Sequence, residues 1–248
     1  MPSFIVSVRR SSADAEPRLE EHAVEAGECT SVLDLLFELQ RGPIPDLAFR
    51  FSCRVGMCGS CAMVVNGREQ LTCSTLAAPL GQRLRIEPLR NLPVLRDLVV
   101  DLAPFFGAYR RVLPHFVPRP GLDGFHAIPP ESAAWKAMDH QPQCIDCGAC
   151  YSACTLATLH PRYLGPMALH RALVLITDPR DAAQEERLQI VCTESGAFGC
   201  HTLGNCRDVC PRGISPTASI QRLKRMGVFE QVRALFSRVF GGKSGITQ

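Results

Sequence analysis

Eleven of the thirteen cysteines in this 248-residue chain fall into three groups, and their spacing constrains the fold more than any other feature. Cys53, Cys58, Cys61 and Cys73 lie in FSCRVGMCGSCAMVVNGREQLTC, a C-x4-C-x2-C…C run. Cys144, Cys147, Cys150 and Cys154 make CIDCGACYSAC, and Cys200, Cys206 and Cys210 make CHTLGNCRDVCP. The first spacing is that of a plant-type [2Fe-2S] site, and the other two follow the bacterial two-cluster run C-x2-C-x2-C-x3-C-P. A cluster needs several thiolates converging on a small body. Glycines such as Gly56, Gly59 and Gly148 let a short loop wrap it, because they tolerate positive φ and close backbone approach.

In two-cluster ferredoxins the fourth cysteine of each run serves the other cluster. Applied here, Cys144, Cys147 and Cys150 take Cys210, while Cys154 joins Cys200 and Cys206. The third group lacks its second cysteine, since Leu203 stands where C-x2-C would place it. An apolar residue at that corner holds a fourth iron poorly. The expectation is therefore [4Fe-4S] on the first of these sets and [3Fe-4S] on the second. Zinc is the main competitor for C-x2-C pairs, but zinc sites usually combine two separated pairs, not four thiolates within eleven residues. Disulfides are disfavoured by the odd count and by a start, MPSFIVSVRRSS, without the apolar core of a signal peptide. The chain reads as one from a reducing, cytoplasmic compartment.

Composition narrows the function classes. A net charge of +3 without a basic aromatic stripe gives no case for nucleic acid. Apolar runs are broken by Asp101 and by His170 with Arg171, short of the ~18 residues of a membrane span. There is no G-x-G-x-x-G run or P-loop, so nothing suggests that the chain binds its own flavin or nucleotide. The seven histidines form no H-E-x-x-H or C-x-x-C-H pattern. Electrons must then arrive from one partner and leave to another.

The expected fold is α+β: an N-terminal β-grasp [2Fe-2S] ferredoxin domain over 1–105, then a helical two-cluster ferredoxin domain over 106–248. PSFIVSVRR and RLEEHAVEAG read as strands, and Ser31 with Asp34 forms a capping box ahead of Val32, Leu33, Leu36 and Phe37. AMVV and REQLTC flank Asn66-Gly67, a type I′ hairpin signal that returns Cys73 to the cluster loop, and LRIEPL supplies a last strand. Leu95, Leu98, Val99, Leu102 and Phe106 repeat at helical spacing, with Pro104 bending or restarting the helix. Pro114, Pro118, Pro120, Pro129, Pro130 and Pro142 are too many for a regular element, so 114–142 is expected to wrap the surface between domains. Helices are expected over Ala149 to Thr158, Pro166 to Ile176 and Ala182 to Cys192, and from Pro216 with Ser215 as N-cap. In the tail, Phe229, Val232, Phe236, Val239 and Phe240 share one side of a helix, with Arg225, Arg233 and Arg238 on others. That stripe packs on the chain's own core or a partner, or else lies along a membrane surface. Cys29 and Cys192 read as small buried hydrophobes, with Cys192 the better alternative ligand.

By order, spacing and the missing cysteine at Leu203, the chain resembles the iron–sulfur subunit of succinate dehydrogenase and fumarate reductase over nearly its whole length. CRVGMCGSCAMVVNG is similar to that family's first cluster loop, NLPVLRDLVVDLAPFFGAYR to its inter-domain helix, and CIDCGACYSAC with CHTLGNCRDVCPRGISP to its later clusters. The resemblance implies a peripheral subunit between a flavoprotein carrying FAD and a membrane anchor, at the cytoplasmic face of the cell membrane. Electrons then pass from FAD through the three clusters to quinone, or backwards in fumarate reductases, and this chain supplies no dicarboxylate-binding residue. His201 matches the family's histidine beside the quinone, where a neutral imidazole suits proton exchange; its other reading is packing or hydrogen bonding beside the cluster. Thr155, Leu156, Ala157 and Thr158 depart from the proline and tryptophan pair of many ubiquinone-reducing members, which tilts the expectation to menaquinone. Val55 replaces an often acidic residue, which makes reduction of the first cluster easier if anything. Two alternatives stay open: a soluble iron–sulfur partner of another flavoenzyme, and a zinc-stabilised interaction module.

Overall fold

Alternation writes the first strand. In β1 (Ser3–Ser12), Phe4, Val6 and Val8 point inward while their neighbours face out. The computed structural model describes residues 3–12, 15–122, 124–138 and 141–240. The strand β1 pairs antiparallel with β2 (Ala15–Glu25), and β3 (Ala62–Val65) pairs antiparallel with β4 (Arg68–Leu71). β5 (Arg83–Glu87) runs parallel to β1 and antiparallel to β3, giving the order β2-β1-β5-β3-β4. Asn66 (φ 48°) and Gly67 (φ 82°) make the two-residue turn between β3 and β4. Across the sheet lies α1 (Val32–Arg41), whose Ser31 Oγ accepts from the Asp34 N–H at 3.2 Å while Asp34 Oδ2 accepts from the Ser31 N–H at 3.1 Å. Its Val32, Leu33, Leu36 and Leu39 close a core with Val6, Val8, Leu84 and Ile86. Each such burial is worth about 1.5–3 kcal/mol before the cost of ordering the chain.

The helix expected through residues 95–106 is not there. Instead β6 (Val94–Arg96) and β7 (Val99–Val100) form a small hairpin, and α2 (Ala103–Arg110) carries Pro104 in its first turn, where it helps start this helix instead of bending it. The cause is Asp97. At φ 47° it turns the chain, and its buried carboxylate accepts from Arg10 Nε, Ser11 N and Ala48 N, each at 3.0 Å. A helix would pull that carboxylate away from three donors, so tertiary hydrogen bonding overrides the helical spacing.

The proline-rich stretch forms one short helix after all, α3 (Ala133–Met138), and is stitched to the second unit by two buried charges. Arg187 donates to the Leu113 and His115 carbonyls and pairs with Asp181, whose other oxygen accepts from Val117 N at 3.1 Å. Beyond it come α4 (Ala149–Ser152), α5 (Thr155–Leu159), α6 (Pro166–Thr177), α7 (Gln184–Val191), α8 (Asn205–Asp208) and α9 (Pro216–Phe240). The single helix expected over 149–158 is therefore two, broken at extended Cys154. Leu169, Ala172, Leu173 and Ile176 of α6 pack on Leu188 and Val191 of α7 and on Ile220 and Leu223 of α9. Ser215 caps α9, accepting from Ala218 N at 3.2 Å. A third cluster, with Leu89, Leu92, Phe105, Tyr151 and Met167, joins the sheet unit to the helical one.

Candidate iron–sulfur sites

The first loop folds around its own sulfurs. Gly56 N donates to Cys73 Sγ at 3.2 Å, and Met57 N and Cys58 N both donate to Cys53 Sγ at 3.3 Å. Left-handed backbone at Arg54 (φ 61°), Gly56 (φ 72°) and Gly59 (φ 74°) turns these N–H groups inward, making a nest suited to an anionic body. Cys53 and Cys58 sit near the surface, with Val55 and Met57 exposed beside them. The Cys58 thiol is drawn down to about 6, first by the Ser60 hydroxyl and then by the N–H groups of Cys53 and Ser60, while burial pushes the Cys61 thiol up to about 11.

Two further sets of thiols ring cavities in the helical unit. Cys144, Cys147, Cys150 and Cys210 line one; Cys154, Cys200 and Cys206 line another, together with Leu203 and His201. The crossing of Cys154 and Cys210 between the sets has a simple structural origin. Gly148 (φ 78°) and Gly204 (φ 87°) each start a single helical turn, α4 and α8, whose second residue is Cys150 or Cys206. The turn ends on the residue pair that leads to Cys154 or Cys210, facing the opposite cavity, and Asn205 Nδ2 ties the two turns together through the Ala153 carbonyl at 3.2 Å. Thr202 (φ 62°) donates its N–H to Cys200 Sγ at 3.4 Å, as Arg54 and Gly56 orient the first loop.

Burial pushes Cys144 up to about 12 and Cys147 up to about 11, and raises Cys150, Cys154 and Cys206 as well. Thiolates crowded in such dry cavities repel one another, so they ionise together only around cationic metal. Among the described residues no three His, Cys, Asp or Glu side chains come close enough to hold a single ion. A cluster holds its thiolates apart across several atoms, so the donor type and the ringed cavities fit a cluster better than zinc.

The sites abut. A Cβ on Gly59 would lie 2.7 Å from Cys147 Cβ, so only glycine lets the first loop press against the second. Asn91, a residue the spacing arguments missed, fixes the step onward. Its backbone is left-handed (φ 63°), and its amide nitrogen donates to the carbonyls of Tyr151, Ser152 and Cys154 at 2.9, 3.0 and 2.9 Å. Its oxygen accepts from Thr158 Oγ1 at 2.6 Å. Nearby, buried Glu69 accepts from Ser152 Oγ at 2.8 Å.

Of the two remaining cysteines, Cys29, in the turn before the Ser31 cap of α1, is exposed, contrary to the expectation of burial. Cys192 packs under α9, where Gly227 leaves room for it, and its Sγ donates to the Leu223 carbonyl at 3.4 Å. It lies outside the lining of the third cavity.

A β-grasp unit and a paired-turn helical unit, each presenting cysteines around N–H-lined loops, define a two-domain iron–sulfur protein. Comparison with known proteins agrees. Residues 5–107 match a 2Fe-2S iron-sulfur cluster binding domain, and residues 141–214 a 4Fe-4S dicluster domain. The fumarate reductase iron-sulfur subunit of Mycobacterium tuberculosis is 36% identical, with 96% of this chain and 97% of that protein covered. The succinate dehydrogenase (ubiquinone) iron-sulfur subunit 1, mitochondrial, of Oryza sativa subsp. japonica is 36% identical over 87% of this chain and 78% of that protein. A chain in the solved Mycobacterium smegmatis Sdh1 complex in the apo form superposes with a TM-score of 0.85 at 29% identity, covering 93% of this chain and 97% of that one. The chain belongs to the family of succinate dehydrogenase and fumarate reductase iron–sulfur subunits.

Proposed function

We propose that this chain is the electron-transfer subunit of a succinate:quinone oxidoreductase. It would hold [2Fe-2S] on Cys53, Cys58, Cys61 and Cys73, [4Fe-4S] on Cys144, Cys147, Cys150 and Cys210, and [3Fe-4S] on Cys154, Cys200 and Cys206, in domains divided near residue 105. The observation that carries the reading is the contiguity of the three thiol sets, with Gly59 against Cys147 and the turns α4 and α8 shared between the other two. Bound there, the clusters supply one-electron relay between FAD on a flavoprotein partner and a quinone at a membrane anchor.

The chain's own residues set the ends of the path. Val55 and Met57, exposed around Cys53 and Cys58, give the flavoprotein an apolar seat beside the entry site. At the other end the third cavity is bordered by exposed His201, Leu159 and Leu203. There an imidazole can exchange a proton with quinone while the leucines exclude water. Thr155 and Leu156 line this cavity, and with Ala157 and Thr158 they stand in place of the proline and tryptophan pair of many ubiquinone-reducing members, which favours menaquinone as the partner quinone. No helix among the described residues is long and apolar enough to cross a membrane, so attachment at the cytoplasmic face falls to the anchor and to surface contacts. Fumarate reduction uses the same residues in reverse.

Metal and sulfide analysis of the assembled complex tests the ligand sets. About nine iron and about ten labile sulfide are expected per chain, with the visible absorbance bleached by succinate. Zinc in place of iron, or absorbance that succinate leaves unchanged, contradicts the proposal.

A further inference from the structure

The last helix changes its apolar side partway along. At 3.6 residues per turn, Ser219, Leu223 and Gly227 share one face of α9, and that face is buried against the domain, with Gly227 pressed on Cys192 and Phe198. Val228, Phe229, Val232 and Leu235 occupy the opposite face and are 51%, 68%, 45% and 60% exposed. From Gln231 to Ser237 every residue is exposed, so the outer part of the helix projects beyond the core. The stripe therefore does not pack on the chain's own core; the side chains of Arg238, Val239 and Phe240 lie outside those described.

The stripe also has a definite orientation. Gln221 and Lys224, on the same side of the helix, reach the loop of the third site: Gln221 Nε2 donates to Thr202 Oγ1 and Lys224 Nζ to the Cys200 carbonyl, both at 2.6 Å. Exposed Leu159 and Leu203 border the cavity at that loop. Its charge is one-sided. Between Gln221 and Ser237 stand Arg222, Lys224, Arg225 and Arg233 against a single carboxylate, Glu230; Arg222 donates to the Ala137 carbonyl at 3.2 Å and Lys224 is held by Cys200, while Arg225 is exposed beside the stripe. Glu230 lies on the far side from the stripe and already pairs with Arg233 at 3.4 Å.

We propose that the outer half of α9 contacts an anionic lipid bilayer, laying Val228, Phe229, Val232 and Leu235 into the headgroup region while exposed Arg225, one turn before Phe229, meets lipid phosphates. The stripe carries no side-chain hydrogen-bonding group with which to match a protein surface, and the excess of cations complements a negative leaflet. The inference rests on the proposed function for the direction in which the third cavity faces, and it turns that cavity's mouth toward the membrane.

The test floats the full chain, clusters in place, with vesicles of phosphatidylcholine alone or mixed with phosphatidylglycerol. The chain should float with the anionic vesicles only, and added salt should weaken binding. Binding should fall about tenfold or more in a Val232→Glu, Leu235→Glu double variant and in a separate Arg225→Glu, Arg233→Glu variant, with iron content unchanged in both. Wild-type chain that stays with the unbound fraction overturns the proposal. So does undiminished flotation of both variants, or loss of assembly with the anchor by a chain that ignores vesicles, which would identify a protein occupant. Succinate bleaching of the assembled wild-type complex separates the two readings: a wild-type chain that bleaches but does not float removes this inference alone, and one that floats but does not bleach removes the electron-transfer reading alone.

Discussion

Leu203 sets the iron content of the third site on the proposed assignment. It borders the cavity ringed by Cys154, Cys200 and Cys206 and is 65% exposed, so a thiol there meets little steric resistance. Leu203→Cys is expected to complete a fourth ligand and convert three-iron to four-iron occupancy, seen as loss of the EPR signal of the oxidised sample. An unchanged signal would mean that residue 203 is not the vacant corner. At this scale the grouping of the cysteines about one loop and two cavities is legible, because their spacing is a covalent constraint written directly into the chain. The left-handed Arg54 and Thr202 are not, since neither residue type favours that conformation: Thr202 is turned to set its N–H on Cys200 Sγ, and the Arg54 side chain is held by Asp34 and the Phe37 ring. The exposure of Cys29 is hidden for a related reason: a cysteine's general preference for burial carries no information about where one particular loop position lies.

Elements announced themselves where local chemistry and packing agree. The capping box at Ser31, the Asn66-Gly67 turn and the start of α9 at Pro216 stand where side-chain type dictates. The hairpin of β6 and β7 shows the opposite case. Its residues read as helical, yet the chain follows Asp97, whose donors come from β1 and from Ala48, far away in sequence. Asp97→Ala leaves two backbone N–H groups and part of the Arg10 guanidinium unpaired in a buried setting, and is expected to cost about 3 kcal/mol or more. Denaturant unfolding of the cluster-loaded chain measures it; a loss below about 1 kcal/mol would show that the hairpin is held by something else. The break between α4 and α5 was hidden in the same way, because extended Cys154 answers to a cavity shared with residues some fifty positions later.

Across the whole molecule the two units act as one body because small groups of the first grip the second. Gly59 touches Cys147, Arg90 N donates to Ser152 Oγ at 2.8 Å, and Asn91 gathers the carbonyls of Tyr151, Ser152 and Cys154. Asn91→Ala is expected to cost about 2–4 kcal/mol and to speed amide exchange over Tyr151 to Thr158 while leaving the centre of α6 protected. Uniform exchange through both segments would contradict the latch. Fixed separation of the clusters is what a relay requires, so the same contacts bear on electron transfer. Low-temperature EPR on the assembled complex tests the relay most directly. Oxidised in air, it should show a near-isotropic three-iron signal, lost on dithionite reduction as a rhombic [2Fe-2S] signal appears. A silent oxidised sample containing zinc would contradict the account.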